Sequence, residues 1–398
     1  MKIFGYLMVV FTLFILSCNY KLNKSEYIFV PIDTIIFPVK NPIRINSRYN
    51  NRTCTNYISF IDVGNMNIFL ITNDSNNNRT EHIFCYKNAI RNFKKENFNL
   101  FYFFKDTSSV YILLKNPIFP GNIKQSIVQI DSKGKFRTLK IWNSSNEIYY
   151  IQPPNKPFNF TDTNIFIATC FHEAKLGTPS LNDYQTNLDS RKKVFSQPPT
   201  LLFEINDSIC KIIKEYGSYP KTLLDTTIHI YNYFPDYTIC NSDAVVFLYR
   251  NMDTLYLTKK NKTIKYAFKS KYKHCNPKFD MKKLFNYNYI NKYACESSKP
   301  MYIKYEPKNN RLYLIYTKYQ KFENKDGTIN KAINNPFSII VFDSLFNNIG
   351  EFNISNEYSK FNSFPTSKGF ALRNTKLSNK NKKATYIVYN IQETKKTL

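Results

Sequence analysis

The chain has 398 residues and a formal net charge of +27, with 56 lysines and arginines against 29 aspartates and glutamates. Such an excess suits an anionic partner, yet only 10 of the basic residues are arginines and the lysines are scattered from end to end. Phosphate and base recognition favour clustered arginine forks, so the charge argues against a nucleic-acid ligand. A bias towards Asn, Ile, Lys, Tyr and Phe is what an AT-rich genome encodes, leaving loose attraction to anionic lipid headgroups as the simplest consequence.

Lys2 is followed by an uncharged run from Ile3 to Leu16. It is short for a bilayer span and the right length for the apolar core of an export signal. Residues 1–17 are therefore expected to be a signal peptide. Leu16-Ser17-Cys18-Asn19 resembles the lipobox of bacterial lipoproteins, with Ile15 and Ser17 matching the pattern and Leu16 departing from it. The resemblance implies cleavage before Cys18 and acylation of that cysteine, with two or more chains giving a stable anchor. Asn19 in place of Asp points to the outer membrane. Residues 18–25 form a short tether without an acidic run, which leaves the membrane face open.

The remaining residues, 26–398, are expected to form one large all-β domain. Glu26–Val39 holds two short strand-like runs broken by Pro31 and Pro38, which suits an edge strand. Residues 41–54 are polar and irregular. From Tyr57 a repeating grammar begins: an aromatic-rich strand, a polar turn, an apolar strand, then a second pair of strands. Units start near Tyr57, Phe98, Phe158, Thr238, Met301 and Phe361. The clearest is 98–141, where NLFYFF, VYILL, SIVQI and KFRTLKI make a meander closed by the turn Asp131-Ser132-Lys133-Gly134. Spacings of roughly 40 to 80 residues suit propeller blades, and helical periodicity is nearly absent. The expected fold is a six-bladed β-propeller of four-stranded antiparallel blades. Its last unit stops at a third strand near Ala384–Ile391, so the segment at 26–37 is expected to complete that blade and close the ring.

These features, with Ile127–Lys135 and the passage PPTLLFEIN…YGSYPK at 198–221, resemble the Bacteroidetes six-bladed β-propeller lipoproteins. That group includes the TolB-like six-blade family and the domain of unknown function 4221. The resemblance spans nearly all of the mature chain and implies a fold and an outer-membrane location. It carries no catalytic residues.

Chemistry is sparse. With Cys18 assigned to lipid, seven cysteines remain at irregular spacing without a CxxC pair, which fits neither a disulfide framework nor a zinc site. Cys170 and Cys210 replace apolar residues in strand runs and read as buried small hydrophobes. Cys275 and Cys295 flank a lysine- and tyrosine-rich loop and are the best pair for a bridge. His172-Glu173 opens a long loop at 171–198 where a propeller mouth could bind a ligand, but no second histidine makes a metalloprotease motif. Asp106, Asp131, Asp162, Asp207 and Asp343 fall in turns, where a carboxylate satisfies local backbone N–H groups. No catalytic, cofactor or metal set emerges. The expected function is a membrane-anchored binding or scaffold propeller for a protein, peptide or glycan. The alternative is a propeller enzyme, a lyase, lactonase or glycosidase, whose His, Asp or Glu residues converge only in space.

Overall fold

The computed structural model describes residues 26–394 apart from 51–52, 75, 77, 91–100, 105–106, 116–124, 143–148, 152–158, 161–164, 173–187, 197–198, 206–208, 225–234, 242–243, 251, 260–261, 275 and 284–285. The segment 1–17, expected to be a signal peptide, and Cys18 lie outside them. Strand β1 (Glu26–Ile36) precedes sheet I, a meander of β2 (Ile43–Asn50), β3 (Thr55–Asp62), β4 (Asn67–Asn73) and β5 (Arg79–Cys85). Sheet II has nine strands: β6 (Phe101–Phe104), β7 (Ser109–Lys115), β8 (Gln125–Asp131), β9 (Phe136–Trp142), β10 (Tyr149–Ile151), β11 (Asn159–Phe160), β12 (Ile165–His172), β13 (Thr200–Ile205) and β14 (Ile209–Tyr216). Helix α1 (Leu188–Phe195) lies between β12 and β13 in the chain.

Sheet III is β15 (Asp236–Asn241), β16 (Ala244–Leu248), β17 (Thr254–Lys259) and β18 (Lys262–Ala267). After α2 (Tyr287–Cys295), sheet IV follows as β19 (Lys299–Glu306), β20 (Arg311–Thr317), β21 (Phe337–Phe342) and β22 (Asn348–Ile354). Sheet V combines β23 (Tyr358–Thr366), β24 (Gly369–Asn374) and, after α3 (Thr375–Asn381), β25 (Thr385–Thr394), with β1 beside β25.

The molecule is a β-propeller whose described strands form five sheets, where six separate blades are expected from sequence. Sheet II holds two antiparallel meanders joined where β14 pairs with β9 in parallel, Ile209 opposite Lys140 and Lys211 opposite Trp142. The pairing direction has a simple origin. Fourth strands of successive meanders run the same way, so two edges that approach can only pair in parallel.

Packing between sheets explains why their middle strands are apolar on both faces. AVVFL in β16 and FSIIVF in β21 are buried throughout, as strands covered on two sides must be. Ile61, Leu70, Tyr102 and Val128 join sheets I and II. Phe195 of α1, Tyr219 and Leu223 pack on Tyr237 and Tyr249 of the sheet III segment. Val246 and Leu248 meet Ile303 and Leu314 between sheets III and IV. Tyr313 stacks on Phe370 at 4.6 Å between sheets IV and V. Phe37 closes the circuit, its ring 4.7 Å from Phe60 of sheet I and 5.0 Å from Tyr386 of sheet V. First strands of neighbouring sheets also touch, β2 with β23, β19 with both β15 and β23, and β6 with β11. They therefore surround a common axis.

Strand β1 completes the last sheet, as the unfinished last unit suggests. It pairs antiparallel with β25 from Glu26 opposite Thr394 to Ile36 opposite Thr385, with a bulge between Pro31 and Asp33. Pro31 is tolerated because β1 is the outer strand. Beyond it, the Phe37 N–H donates to Ala384 O at 2.9 Å, and Lys368 pairs with Asp33 at 2.7 Å.

Two further expectations are corrected. The polar stretch around 41–54 contains β2, the innermost strand of sheet I, whose sequence IRINSRYN lacks the apolar density of a strand buried on both faces. The loop expected between Cys275 and Cys295 contains α2, which Asn286 caps by accepting the Tyr289 N–H at 2.9 Å. Cys295 is a free, buried thiol that donates to Asn330 O at 3.4 Å, so it forms no bridge. Cys275 lies outside the described residues.

Candidate functional site

Strand direction makes the two ends of the ring unequal. In a four-stranded meander, the second-to-third connection and the link to the next sheet leave from the end where the first strand starts. Segments 173–199, 217–235, 268–298, 318–336 and 375–384 therefore all attach at one end. The other end carries short turns such as 132–135, 307–310 and 343–347.

The short-turn end holds two of the five aspartates singled out from sequence, Asp131 and Asp343, and a third of the same kind, Asp74. Asp131 accepts the N–H groups of Lys133 and Lys135, both at 2.9 Å. Asp343 accepts those of Leu345 at 2.9 Å and Asn347 at 2.8 Å. Asp74 does the same for Asn76 and Asn78, and the Asn78 side chain holds its carboxyl below the usual range. All three are third-to-fourth strand turns that begin Asp-Ser, a repeat visible in the sequence only once the strands are aligned. Asp106, Asp162 and Asp207 lie outside the described residues.

Buried carboxylates elsewhere are likewise held by backbone. Asp236 on β15 accepts the Ile303 N–H of β19 at 2.6 Å, a charge-assisted link between sheets III and IV. Glu306 accepts the Lys308 and Asn309 N–H groups. Glu351 accepts Ser270 Oγ at 2.7 Å, Lys271 N at 2.6 Å and Ser338 Oγ at 2.6 Å. Among the described residues no group of three His, Cys, Asp or Glu side chains could hold a metal ion.

The histidines do not converge. His172 ends β12 opposite Tyr149 at the loop-rich end, and Glu173 and His229 lie outside the described residues. His82 is on the outer strand β5, and the His274 ring stacks on Tyr319 at 4.4 Å. Cys240, whose thiol burial pushes up to about 12, lines a pocket of about 200 Å³ with Leu257, Tyr305 and Phe346 at the short-turn end. A thiol so far from ionising is an inert packing group.

What the loop-rich end does bring together is positive charge, which the sequence conceals among scattered lysines. Arg250 follows β16, Lys299 opens β19 and Lys360 lies on β23, so each comes from a different sheet. The Arg250 guanidinium lies 5.6 Å from the centroid of Tyr302. Tyr302 is edge-on to Phe361 at 6.0 Å. Lys360 is 3% exposed and donates to Ala332 O at 2.9 Å and Asn335 O at 3.1 Å. Burial and, less strongly, the Arg250 charge push the Lys299 ammonium down to about 8. Burial also pushes Lys360 down to about 8, with Lys299 adding to the shift and Cys295 opposing it.

The loops around these cations are rigidly tied. Asn335 Nδ2 donates to Cys295 O at 2.8 Å, joining α2 to the segment 318–336. Ser298 N donates to Asn276 Oδ1 at 2.7 Å, and His274 N to Ser298 Oγ at 2.7 Å. Exposed apolar groups stand on the same loops and at the mouth, notably Tyr287, Ile333 and Phe361.

No protein-family profile matches the sequence, and no curated protein matches it. Among solved structures, the chain is similar to a member of the domain of unknown function 4221 family from Bacteroides vulgatus. The two share 16% identity with a TM-score of 0.61 over 94% of this chain and 100% of that one. A mutant of AofleA from Arthrobotrys oligospora matches with 9% identity and a TM-score of 0.38, over 81% of this chain and 76% of that one. The first likeness is to a fold, and it agrees with the propeller described above.

Proposed function

We propose that the chain is an envelope lipoprotein of the domain of unknown function 4221 group, anchored through Cys18 in the outer membrane, whose propeller is a binding or scaffold module. The observation that carries the binding reading is the unequal ring. Long, hydrogen-bonded loops with exposed aromatic and aliphatic groups gather at one end, while the other is closed by self-satisfied turns. Loops fixed on a rigid scaffold are the usual place for recognition. Sheet II counts as two blades in this reading, giving six. Asp74-Ser75, Asp131-Ser132, Asp207-Ser208 and Asp343-Ser344 each stand between a third and a fourth strand, and Asp207-Ser208 is the one belonging to the second meander of sheet II. The enzymatic alternative gains no support from the buried carboxylates Asp236, Glu306 and Glu351, whose oxygens accept backbone and hydroxyl donors.

A photo-crosslinking residue placed at Phe361 in the native host is expected to trap a discrete partner, and the same residue at Leu345, in a short-turn hairpin, to trap none. Trapping from Leu345 alone would contradict the assignment of the face. Intact mass in the same cells checks the anchor: acyl mass on the wild type and none on Cys18→Ala. An unacylated wild type would remove the lipoprotein reading.

A further inference from the structure

Three cations sit together at the loop-rich mouth. Among the described residues, no carboxylate lies within ion-pairing distance of Arg250, Lys299 or Lys360, although pairs such as Lys273 with Asp253 occur on the same face. Asp236, opposite Leu248 at the same end of the ring, is occupied as described. Arg250 Nε is buried and has no hydrogen-bond acceptor among the described residues. Buried charge without a partner is costly, and a buried donor left unmade is costly too. Lys360 has two carbonyl acceptors, whereas among the described residues no acceptor is present for Lys299 Nζ, 5.8 Å from the Tyr293 ring.

We propose that Arg250 and Lys299 form a carboxylate-binding site at this mouth, and that its ligand is an acidic peptide segment whose Asp or Glu side chain sits between them. The proposal rests on the reading that the loop-rich end is the binding face. The Arg250 fork, its Cζ 5.6 Å from the centroid of the Tyr302 ring, matches the two oxygens of a carboxylate, and Lys299 supplies a second, point-like charge. Lys360 stands behind them as a fixed positive charge.

The surroundings select a peptide over an acidic glycan. Phe361, 42% exposed, lies 5.4 Å from Lys360 Nζ by its ring centroid, and Ile333, 60% exposed, follows the Ala332 whose carbonyl Lys360 binds. An aliphatic and an aromatic group beside the cations suit apolar side chains flanking the acid. A sugar would instead need accessible acceptors for its hydroxyls, whereas the unpartnered Asn335 Oδ1 beside Lys360 is buried and Asp236 is already engaged. A nest of backbone N–H groups, which phosphate sites commonly add, is not among the described contacts of the cluster.

The test is fluorescence anisotropy of the purified full chain with a labelled peptide of alternating Glu and Leu, beside its Gln counterpart. Expected are binding of the Glu peptide, binding at least tenfold weaker for the Gln peptide, and a tenfold or greater loss in both Arg250→Gln and Lys299→Met. Thermal melting checks that the variants fold. Should Arg250→Gln fail to fold, Arg250→Lys, which keeps the charge and loses the fork, is expected to weaken the Glu peptide severalfold. Equal affinity for both peptides, wild-type affinity in the folded variants, or no binding of the Glu peptide overturns the site. If crosslinks from Phe361 persist under those outcomes, the binding face stands and only the carboxylate site falls. Arg250-dependent binding of oligoglucuronate or inorganic phosphate without the peptide overturns the peptide assignment.

Discussion

Raising the pH beyond about 11 is expected to unfold the protein cooperatively, with phenolate absorbance rising at the same midpoint as the loss of β-structure. Tyr249, Tyr313, Tyr316 and Tyr386 are each under 2% exposed. Burial pushes the Tyr316 phenol up to about 12 and raises the other three as well. Tyr86 and Tyr305 are also pushed up to about 12. The sign follows from linkage. A phenol whose folded pKa is above its unfolded value contributes full stability below about pH 10 and loses it as the pH climbs through the folded pKa.

Each such group costs about 1.4 kcal/mol per pH unit in that window, so the four fully buried phenols together remove roughly 6 kcal/mol per unit. A domain holds about 5–15 kcal/mol in all, and the transition belongs between about pH 11 and 12. Lys299 and Lys360 act in the opposite sense at lower pH. Their folded pKa values of about 8 lie below the unfolded value, so stability should rise modestly from about pH 8 to 10 before the tyrosines take over. Circular dichroism and phenolate absorbance, followed together, check this. Tyrosines that ionise near pH 10 while the sheet signal persists would mean that the aromatic cores admit water.

The largest effect of a single methyl group is expected at Gly369. This residue starts β24 with φ at +154°, and a Cβ there would lie 2.0 Å from Tyr389 O and 2.9 Å from Tyr389 C. Those atoms belong to the backbone of β25, which β1 clamps on its other side. Gly369 is also fixed by the Thr366 hydroxyl, which accepts its N–H at 3.1 Å and donates to its carbonyl at 3.2 Å. Neither strand can yield without breaking ladder bonds. Gly369→Ala should therefore cost about 3 kcal/mol or more, read as a lower denaturant midpoint at unchanged slope. Gly134→Ala is the control. Gly134 has a positive φ of +76°, but no atom lies within 4 Å of its Cβ position, so only the left-handed strain of about 1–2 kcal/mol is expected. Equal losses would show that sheet V has room to adjust.

The sequence makes most strands legible because their middle members are buried on both faces and must be continuously β-branched or aromatic, as in FSIIVF and AVVFL. Strand β2 escapes this rule. It is the innermost strand of its sheet, and IRINSRYN reads as a loop. Helix α2 hides for a related reason: YNYINKYAC has the same Tyr, Asn and Lys content as the loops around it, and its clearest signal is the Asn286 cap. The unfinished last unit does reveal the closing strand, since a meander one strand short needs an outside partner. Joining of two meanders in sheet II depends on a three-residue edge contact with no sequence pattern of its own. Arg250, Lys299 and Lys360 are far apart in sequence and sit in a lysine-rich background, so only the ring brings their charges together. The turn aspartates, by contrast, keep their local role.

Closure of the ring by β1 is what holds sheet V against sheet I and sets the loops on one face, and paired truncations test it. Removal of residues 1–25 should leave the melting temperature and the association state unchanged. Removal of residues 1–36 takes away β1, bares the edge of β25, and should lower the melting temperature sharply and drive association through the open edge. If both truncated chains melt and sediment alike, β1 is not the clasp, and the ring closes by some other contact.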